Sequence, residues 1–413
     1  MTSAPRSTER VGWGFIALYT LAFLGTCLVL VAPLLVTLAL KVNSLVGIDA
    51  APRSLSIVTG VGALVAMVGN PFLGKMSDRT VSSLGMRRPW MVIGLSGGSI
   101  GIIVVALAPS VAVVLVGWCV AQLFFNGLLA ALVAVLPDQV PDSQRGVVSG
   151  MLGVCLPVAS ICGTFVVQLF SGNQLAMFLA PCAIAGLLIA PFLLRLEDRR
   201  LAASDRPRWS LRELLGTFYV DPRRNPDFTW AFASRFLFVM AYAFLVTYQA
   251  YFLIDRIGSD EEDIPRLIFY STLVQSSAVV VASLVGGRLS DRTGRRKVFV
   301  LTASATYGAA LLAVASSTDL DQFLVAMALA GLGFGVYVAV DLALVADVLP
   351  DDASTAKNLG VFNMAGALPF SAAPAVAPFI LTLGSGSYAV LYGVAASCAL
   401  LGALAILPVR GVR

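Results

Sequence analysis

Two charged side chains stand inside long apolar stretches of this sequence. Arg235 lies in "TWAFASRFLFVMAYAFLV" and Asp341 in "GLGFGVYVAVDLALVADVLP". A charge at the centre of a bilayer costs about 2.5–3.5 kcal/mol, so such residues are informative where they occur. A carboxylate in a poorly hydrated place can trade an ion pair for a proton. The chain has no histidine, so imidazole is excluded as a proton carrier and a carboxylate must take that role. Each of the two residues falls about 10 Å in from one end of its stretch if the stretch is helical. Further polar residues keep helical spacing with them. Arg235, Tyr242 and Gln249 recur every seven residues, within roughly 40° of one another on a helix and over about 21 Å of its length. Tyr337 is one turn from Asp341. Tyr19, Gln122 and Asn126 offer hydroxyl and amide groups elsewhere, with Gln275 and Asn363 as weaker candidates. Such a set suits a small polar solute, and its aromatic faces could stack on a flat one. The plainer reading is that polar side chains join helices, at about 0.6 kcal/mol each.

Other chemistries fare poorly. "GNPFLGKMSDRT", residues 69–80, carries the G-x-x-x-x-G-K of a P-loop. The residue after the lysine is Met76, where magnesium needs Ser or Thr, and Pro71 removes a backbone donor. The six cysteines lie in apolar segments without a C-x-x-C and read as packing residues. No metal cluster, cofactor, nucleotide site or nucleophile–base set is expected. The basic residues are scattered over short loops and do not suggest nucleic acid.

The elements that must hold these groups are membrane helices. The chain is 58% hydrophobic and 12% charged, against about 25% charged in a soluble domain. Spans need roughly 20 mostly apolar residues. Twelve are expected: 12–40, 54–76, 88–108, 110–136, 145–170, 175–195, 227–254, 265–289, 297–316, 321–348, 357–383 and 387–408. Arg6 and Arg10 precede a run too long for a cleavable signal. The charged stretch 196–226 links the halves. Its "SLRELLGTF" has a capping box, Ser210 with Glu213, and predicts a short amphipathic helix at the membrane surface. All basic residues but Lys41, Arg53, Arg235, Arg256 and Arg266 fall at the termini or in loops after even-numbered helices. The asymmetry places both termini and the linker in the cytoplasm of a cell-membrane protein.

The chain also repeats itself. "GKMSDRT" at 74–80 returns as "GRLSDRT" at 287–293, with Asp78 and Asp291 213 residues apart. "LPDQVPDSQRG" from Leu136 returns as "LPDDASTAKNLG" from Leu349 at the same offset. Two six-helix bundles in parallel order follow, residues 1–195 and 227–413. Twelve helices with this doubled loop resemble the major facilitator superfamily. "GRLSDRTGRRK" matches its loop signature throughout. "GKMSDRTVSSLGMRRPW" has four extra residues before its glycine and an inserted Met86. The "RRPW" ending and the acidic helix 10 look most like the glycoside–cation and sucrose-type symporter branch.

The resemblance implies more. Helices 7 and 10 line the family's central cavity, so Arg235 and Asp341 are expected to pair. The loop carboxylates, Asp78 and Asp291, are expected in a cytoplasmic latch with Arg79, Arg87, Arg88, Arg292, Arg295 and Arg296. The pairs Asp138 with Arg145 and Asp351 with Lys357 would extend it. Pro157 and Pro369, at nearly equivalent repeat positions, would permit bending. The function implied is secondary active transport by alternating access. One midplane site would serve a small polar solute such as a sugar, with protons carried by Asp341 under the control of Arg235. Two alternatives stand beside it: proton-driven drug or metabolite efflux by the same fold, and a receptor or scaffold that does not transport. In helix 5 "GMLGVCLPVASICG" lacks the Gly-Pro pair of many drug exporters, and a scaffold has no use for a doubled latch. The partners implied are the solute, protons and the lipid bilayer.

Overall fold

The computed structural model describes residues 10–198, 200–201, 225–348, 362 and 364–409. The expected amphipathic helix at 210–218, the Asp351–Lys357 pair and Asn363 lie outside the described residues, as do the side chains of Asp291 and Asp347.

Among the described residues, 12 helices are long and apolar enough to cross a membrane. They are α1 (Trp13–Val46), α2 (Ala51–Asp78), α3 (Arg88–Leu107), α4 (Val111–Gln139), α5 (Asp142–Leu169), α6 (Gln174–Arg195), α7 (Pro226–Asp255), α8 (Ile264–Thr293), α9 (Arg296–Ser316), α10 (Leu320–Val348), α11 (Met364–Leu383) and α12 (Tyr388–Ala405). The fold is all-helical. In lipid a helix satisfies its own backbone, which is why apolar segments of this length adopt it. The P-loop look-alike, residues 69–75, is continuous helix inside α2, with no loop to cradle a phosphate.

α1 departs most from expectation. It runs on to Val46 through a π-helical segment, Pro33–Thr37. Proline at 33 cannot donate to the helix, and a π segment absorbs such a local mismatch. Lys41, expected in a loop, is therefore helical and buried. Its Nζ donates to the carbonyl of Ala106 at 2.9 Å and to Gln174 Oε1 at 3.4 Å. The carbonyl pole of α3 favours a cation there. α11 is interrupted at Leu368, immediately before Pro369, where proline removes a donor.

Two compact units result, Met1–Gly47 with Leu64–Arg208 and Ile48–Ala63 with Trp209–Arg413. Within the first, α1 packs on α5 and α6, and α3 on α4 and α6. Within the second, α7 packs on α11 and α12, and α9 on α10 and α12. The same pairings recur six helices apart, as a duplicated sequence requires. α8 also packs along α10.

Candidate functional site

In the second unit, α7 and α10 meet through three consecutive rungs. Arg235 Nη1 reaches Asp341 Oδ2 at 2.7 Å, with the side chains 18% and 10% exposed. One turn on, Phe238 and Tyr337 stack with centroids 3.6 Å apart and planes 7° from parallel. The third rung is Tyr242 on Phe334, 4.4 Å apart. Residues 235, 238 and 242 share one face of α7, and 341, 337 and 334 share one face of the antiparallel α10. The pair of charges is thus clamped by aromatic area on one side. α11 closes another. The Arg235 guanidinium lies over the Phe362 ring, 5.1 Å from its centroid. Gly366 stands beneath it, where a Cβ would come within 3.2 Å of Nη2. Phe370 presents its ring to Tyr242 at 6.1 Å. Phe362, just before α11, and Gly366 and Phe370 within it recur every four residues, and all three reach the site.

The structure thus brings Arg235, Asp341, Tyr242 and Tyr337 together. Gln249 is buried further along α7. Phe238, Phe334, Phe362, Gly366 and Phe370 escaped the sequence reading because it sought polar groups. Phe238 and Phe334 are visible in hindsight as aromatics in helical register with Arg235 and Asp341.

The first-unit residues do not form one wall. Tyr19, expected to line a cavity, is wholly buried. Its hydroxyl donates to the Leu132 carbonyl at 2.8 Å and its ring stacks on Phe192 at 5.4 Å. With its one donor engaged by backbone, it joins α1, α4 and α6. Gln122 and Asn126 form a separate amide cluster on α4. Asn126 Nδ2 donates to Gln122 Oε1 at 3.0 Å, and Asn70 of α2 approaches Asn126 Oδ1 at 3.5 Å. That cluster lies roughly 9 Å along α4 from Leu132.

At the arginine-rich end of the first unit, Arg87 is the hub. It is buried, with Nη1 2.6 Å from Asp78 Oδ1 and Nε 3.0 Å from Asp138 Oδ2. Nη1 also donates to Ser77 Oγ at 3.0 Å. Burial alone would make the guanidinium easier to deprotonate, but Asp138 and Asp78 outweigh it and hold it charged. Asp138 was expected on Arg145. Arg145 instead donates to the carbonyls of Val140 and Pro137, both at 3.0 Å, at the end of α4. Those carbonyls have no partner within the helix and attract a cation. Asp198, after α6, accepts from the backbone N–H groups of Arg87 and Arg88 at 2.6 and 2.8 Å. Its carboxylate occupies the space that a Cβ on Gly85 would need; Gly85 has φ +99°. The four-residue insertion thus builds a glycine turn that lets an acid cap α3. Arg88 donates to the Leu196 carbonyl, and Arg79 is half-buried at the end of α2.

In the second unit, Gly294 caps α8 with φ +62° and donates to Ser290 at 2.9 Å. Glycine adopts this left-handed conformation without the Cβ penalty. Arg292 and Arg295 are exposed around it and Arg296 opens α9 half-buried. Lys297 ties α9 to the end of α12 through the carbonyls of Leu407 and Val409.

The family model described as Major Facilitator Superfamily matches residues 14–275 and 268–412. The chain belongs to the major facilitator superfamily. It is a multi-pass membrane protein of a transporter family, not an enzyme. No curated protein matches it. Superfamily likeness extends to solved structures over nearly the whole chain. A mutant of the nucleoside transporter NupG is 16% identical, with a TM-score of 0.74, covering 96% of this chain and 99% of that one. A mutant of the peptide transporter POT, in complex with alafosfalin, is 14% identical, with a TM-score of 0.73 and coverage of 96% and 95%. A bacterial homolog of the human lysosomal transporter Spinster, inward-facing and unoccupied, is 15% identical, with a TM-score of 0.63 and coverage of 95% and 93%. Identities this low carry the fold alone.

Proposed function

We propose that this superfamily member is a secondary active transporter, moving a small polar solute across the cell membrane by alternating access and coupling it to protons. The observation that carries the reading is the Arg235–Asp341 pair, held at 2.7 Å between two helices of membrane-spanning length. A superfamily transporter without a nucleotide site draws on a gradient. One proton crossing 100 mV supplies about 2.3 kcal/mol. Asp341 takes the proton, which dissolves the ion pair and frees Arg235 for an anionic or hydroxyl group of the solute. Loss of the proton restores the pair. Tyr337 and Tyr242, on the aromatic rungs next to it, offer hydroxyls and flat faces to the same solute.

For the solute class, the "RRPW" ending and the acidic helix 10 support a sugar or glycoside. The likeness to the nucleoside transporter NupG adds nucleosides as a second ring-bearing class to screen. The Arg87–Asp78–Asp138 cluster fits a latch on the cytoplasmic side, where the Lys and Arg distribution also puts both termini. The two repeats, residues 1–195 and 227–413, are the bodies we expect to rock.

The test is Asp341→Asn in proteoliposomes. Coupling through Asp341 predicts that accumulation against a gradient is abolished, while exchange of solute at equal concentrations on both sides persists. Intact accumulation in the variant would remove Asp341 from the mechanism.

A further inference from the structure

The helices of the second unit are not joined to one another in the same way. At three glycines α10 meets its neighbours backbone to backbone. A Cβ on Gly331 would run into the Gln275 carbonyl of α8, and one on Gly335 into the Val279 carbonyl a turn further on. Gly333 faces α9, where a Cβ would stand 2.8 Å from the Tyr307 nitrogen and 2.9 Å from the Ala303 oxygen. Small residues let helix backbones approach this closely, and such contacts contain no rotamers to rearrange. α7 is joined to α12 in the same manner. A Cβ on Gly402 would stand 3.0 Å from the Ser234 oxygen, and Ser234 Oγ donates to the Gly402 carbonyl at 2.7 Å. α11 packs along α7, with Gly366 under Arg235.

Between α7 and α10 the contact changes kind. They meet through side chains, the Arg235–Asp341 pair and the two aromatic rungs beside it. The rungs are apolar faces with no fixed partner atoms, so the ion pair is the directional fastening. α9 also packs along α12, where a Cβ on Gly308 would meet the flexible Leu400 side chain at 3.0 Å.

The first unit repeats the close approaches but not the fastening. A Cβ on Gly94 of α3 would stand 2.8 Å from the Leu128 nitrogen of α4, and one on Gly25 of α1 would stand 3.2 Å from the Ala185 Cα of α6. The residues 213 positions before Arg235 and Asp341 are Ala22 and Leu128, both apolar and wholly buried. One turn from each, α1 and α4 are tied by the Tyr19 hydroxyl, which donates to the Leu132 carbonyl at 2.8 Å. That tie contains no carboxylate for a proton to neutralise.

We propose that the second unit flexes internally, between a block of α7, α11 and α12 and a block of α8, α9 and α10, and that the Arg235–Asp341 pair is the clasp between them. The first unit, tied by a hydroxyl and a backbone carbonyl, stays rigid at the matching place. The proposal rests on the transport reading only for what opens the clasp, which is protonation of Asp341. The proton binds a carboxylate oxygen and leaves Arg235 charged and unpaired. The α7 block then turns about the α9–α12 contact, carrying Arg235 with it, while α10 stays with α8 and α9. Arg235 of α7 is the charge that faces Asp341, and Tyr337 is the hydroxyl one turn away on its own helix. α8 presents backbone carbonyls to α10, α9 presents Tyr307, and Phe362 before α11 covers the guanidinium.

Spin-label distances on the full chain in lipid nanodiscs test this, in a background without native cysteines. Labels at Trp230 and Val338 report α7 against α10. Labels at Val285 and Val338 report α8 against α10, and labels at Leu21 and Val133 report α1 against α4; all these positions are exposed. In Asp341→Asn the α7–α10 distance should shift by about 2 Å, and the other two should hold. Arg235→Gln breaks the pair from its other side and should give the same shift, so the result does not hang on one variant folding. No shift in either variant overturns the clasp. An equal shift between α8 and α10 overturns the division into blocks, and one between α1 and α4 overturns the difference between the units. Uptake assays separate this from proton coupling. A shift in an Asp341→Asn protein that still accumulates solute keeps the clasp and removes the coupling. Lost accumulation with no shift keeps the coupling and removes the clasp.

Discussion

Asp341 and Arg235 each break an apolar stretch, and together they form an ion pair in which each offsets the charge of the other. An isolated charge at this depth would be expensive, while a paired one keeps its partner until a proton or a solute competes. The residue that sets their geometry is small. A Cβ on Gly366 would meet Arg235 Nη2 at 3.2 Å and Nε at 3.4 Å. Alanine asks the guanidinium to shift by a few tenths of an ångström, and valine asks for more. Displacing a positioned group by about 1 Å can cost a hundredfold in rate. Gradient-driven uptake should fall by about that factor in Gly366→Val and much less in Gly366→Ala. Equal rates in the three proteins would mean that Arg235 needs no fixed position. The two charges were legible in the sequence because charge is rare in apolar stretches. Gly366 was not, since glycine is common in membrane helices and only the structure shows which one lies under the guanidinium.

Helix ends carry the next scale of organisation. Arg87 precedes α3 and gathers the ends of α2 and α4 through Asp78 and Asp138. Breaking a buried ion pair by removing one partner costs about 3–5 kcal/mol. Both acids are partly exposed, at 51% and 40% of their side chains, so water compensates much of this and about 1–3 kcal/mol remains. Arg87→Met should lower the melting temperature of the purified protein, and Arg88→Met, which removes the donors to the Leu194 and Leu196 carbonyls, should lower it less. The reverse order would place the hub elsewhere. Helix positions followed from apolar length and flanking charge, so most spans were predicted to within a few residues. α1 was not, because Lys41 and Asn43 look like the start of a loop. What extends the helix is burial against α3 and α6, a tertiary effect absent from local pattern. For the same reason Asp138 looked like a partner of Arg145, seven residues on, when the cation that reaches it is Arg87, from the turn before α3.

For the whole molecule, duplication is the organising fact. The 213-residue offset in the sequence returns as matching helix pairings in the two units. The fold was legible because each span signals itself and the repeat fixes their order. The site was legible by half: its second-unit charges and tyrosines announce themselves, whereas Tyr19 carries the same letters as a binding residue and serves packing. Hydroxyl chemistry does not distinguish the two roles until a partner such as the Leu132 carbonyl is in place. In the proposed cycle, solute and proton cross together. The most direct measurement is purified protein in proteoliposomes with a trapped pH dye and an imposed pH gradient, screened against mono- and disaccharides, nucleosides and lipophilic cations. Proton movement is expected on addition of a sugar or nucleoside, absent in Asp341→Asn. Solute movement with no dye response, equal in wild type and Asp341→Asn, would contradict it.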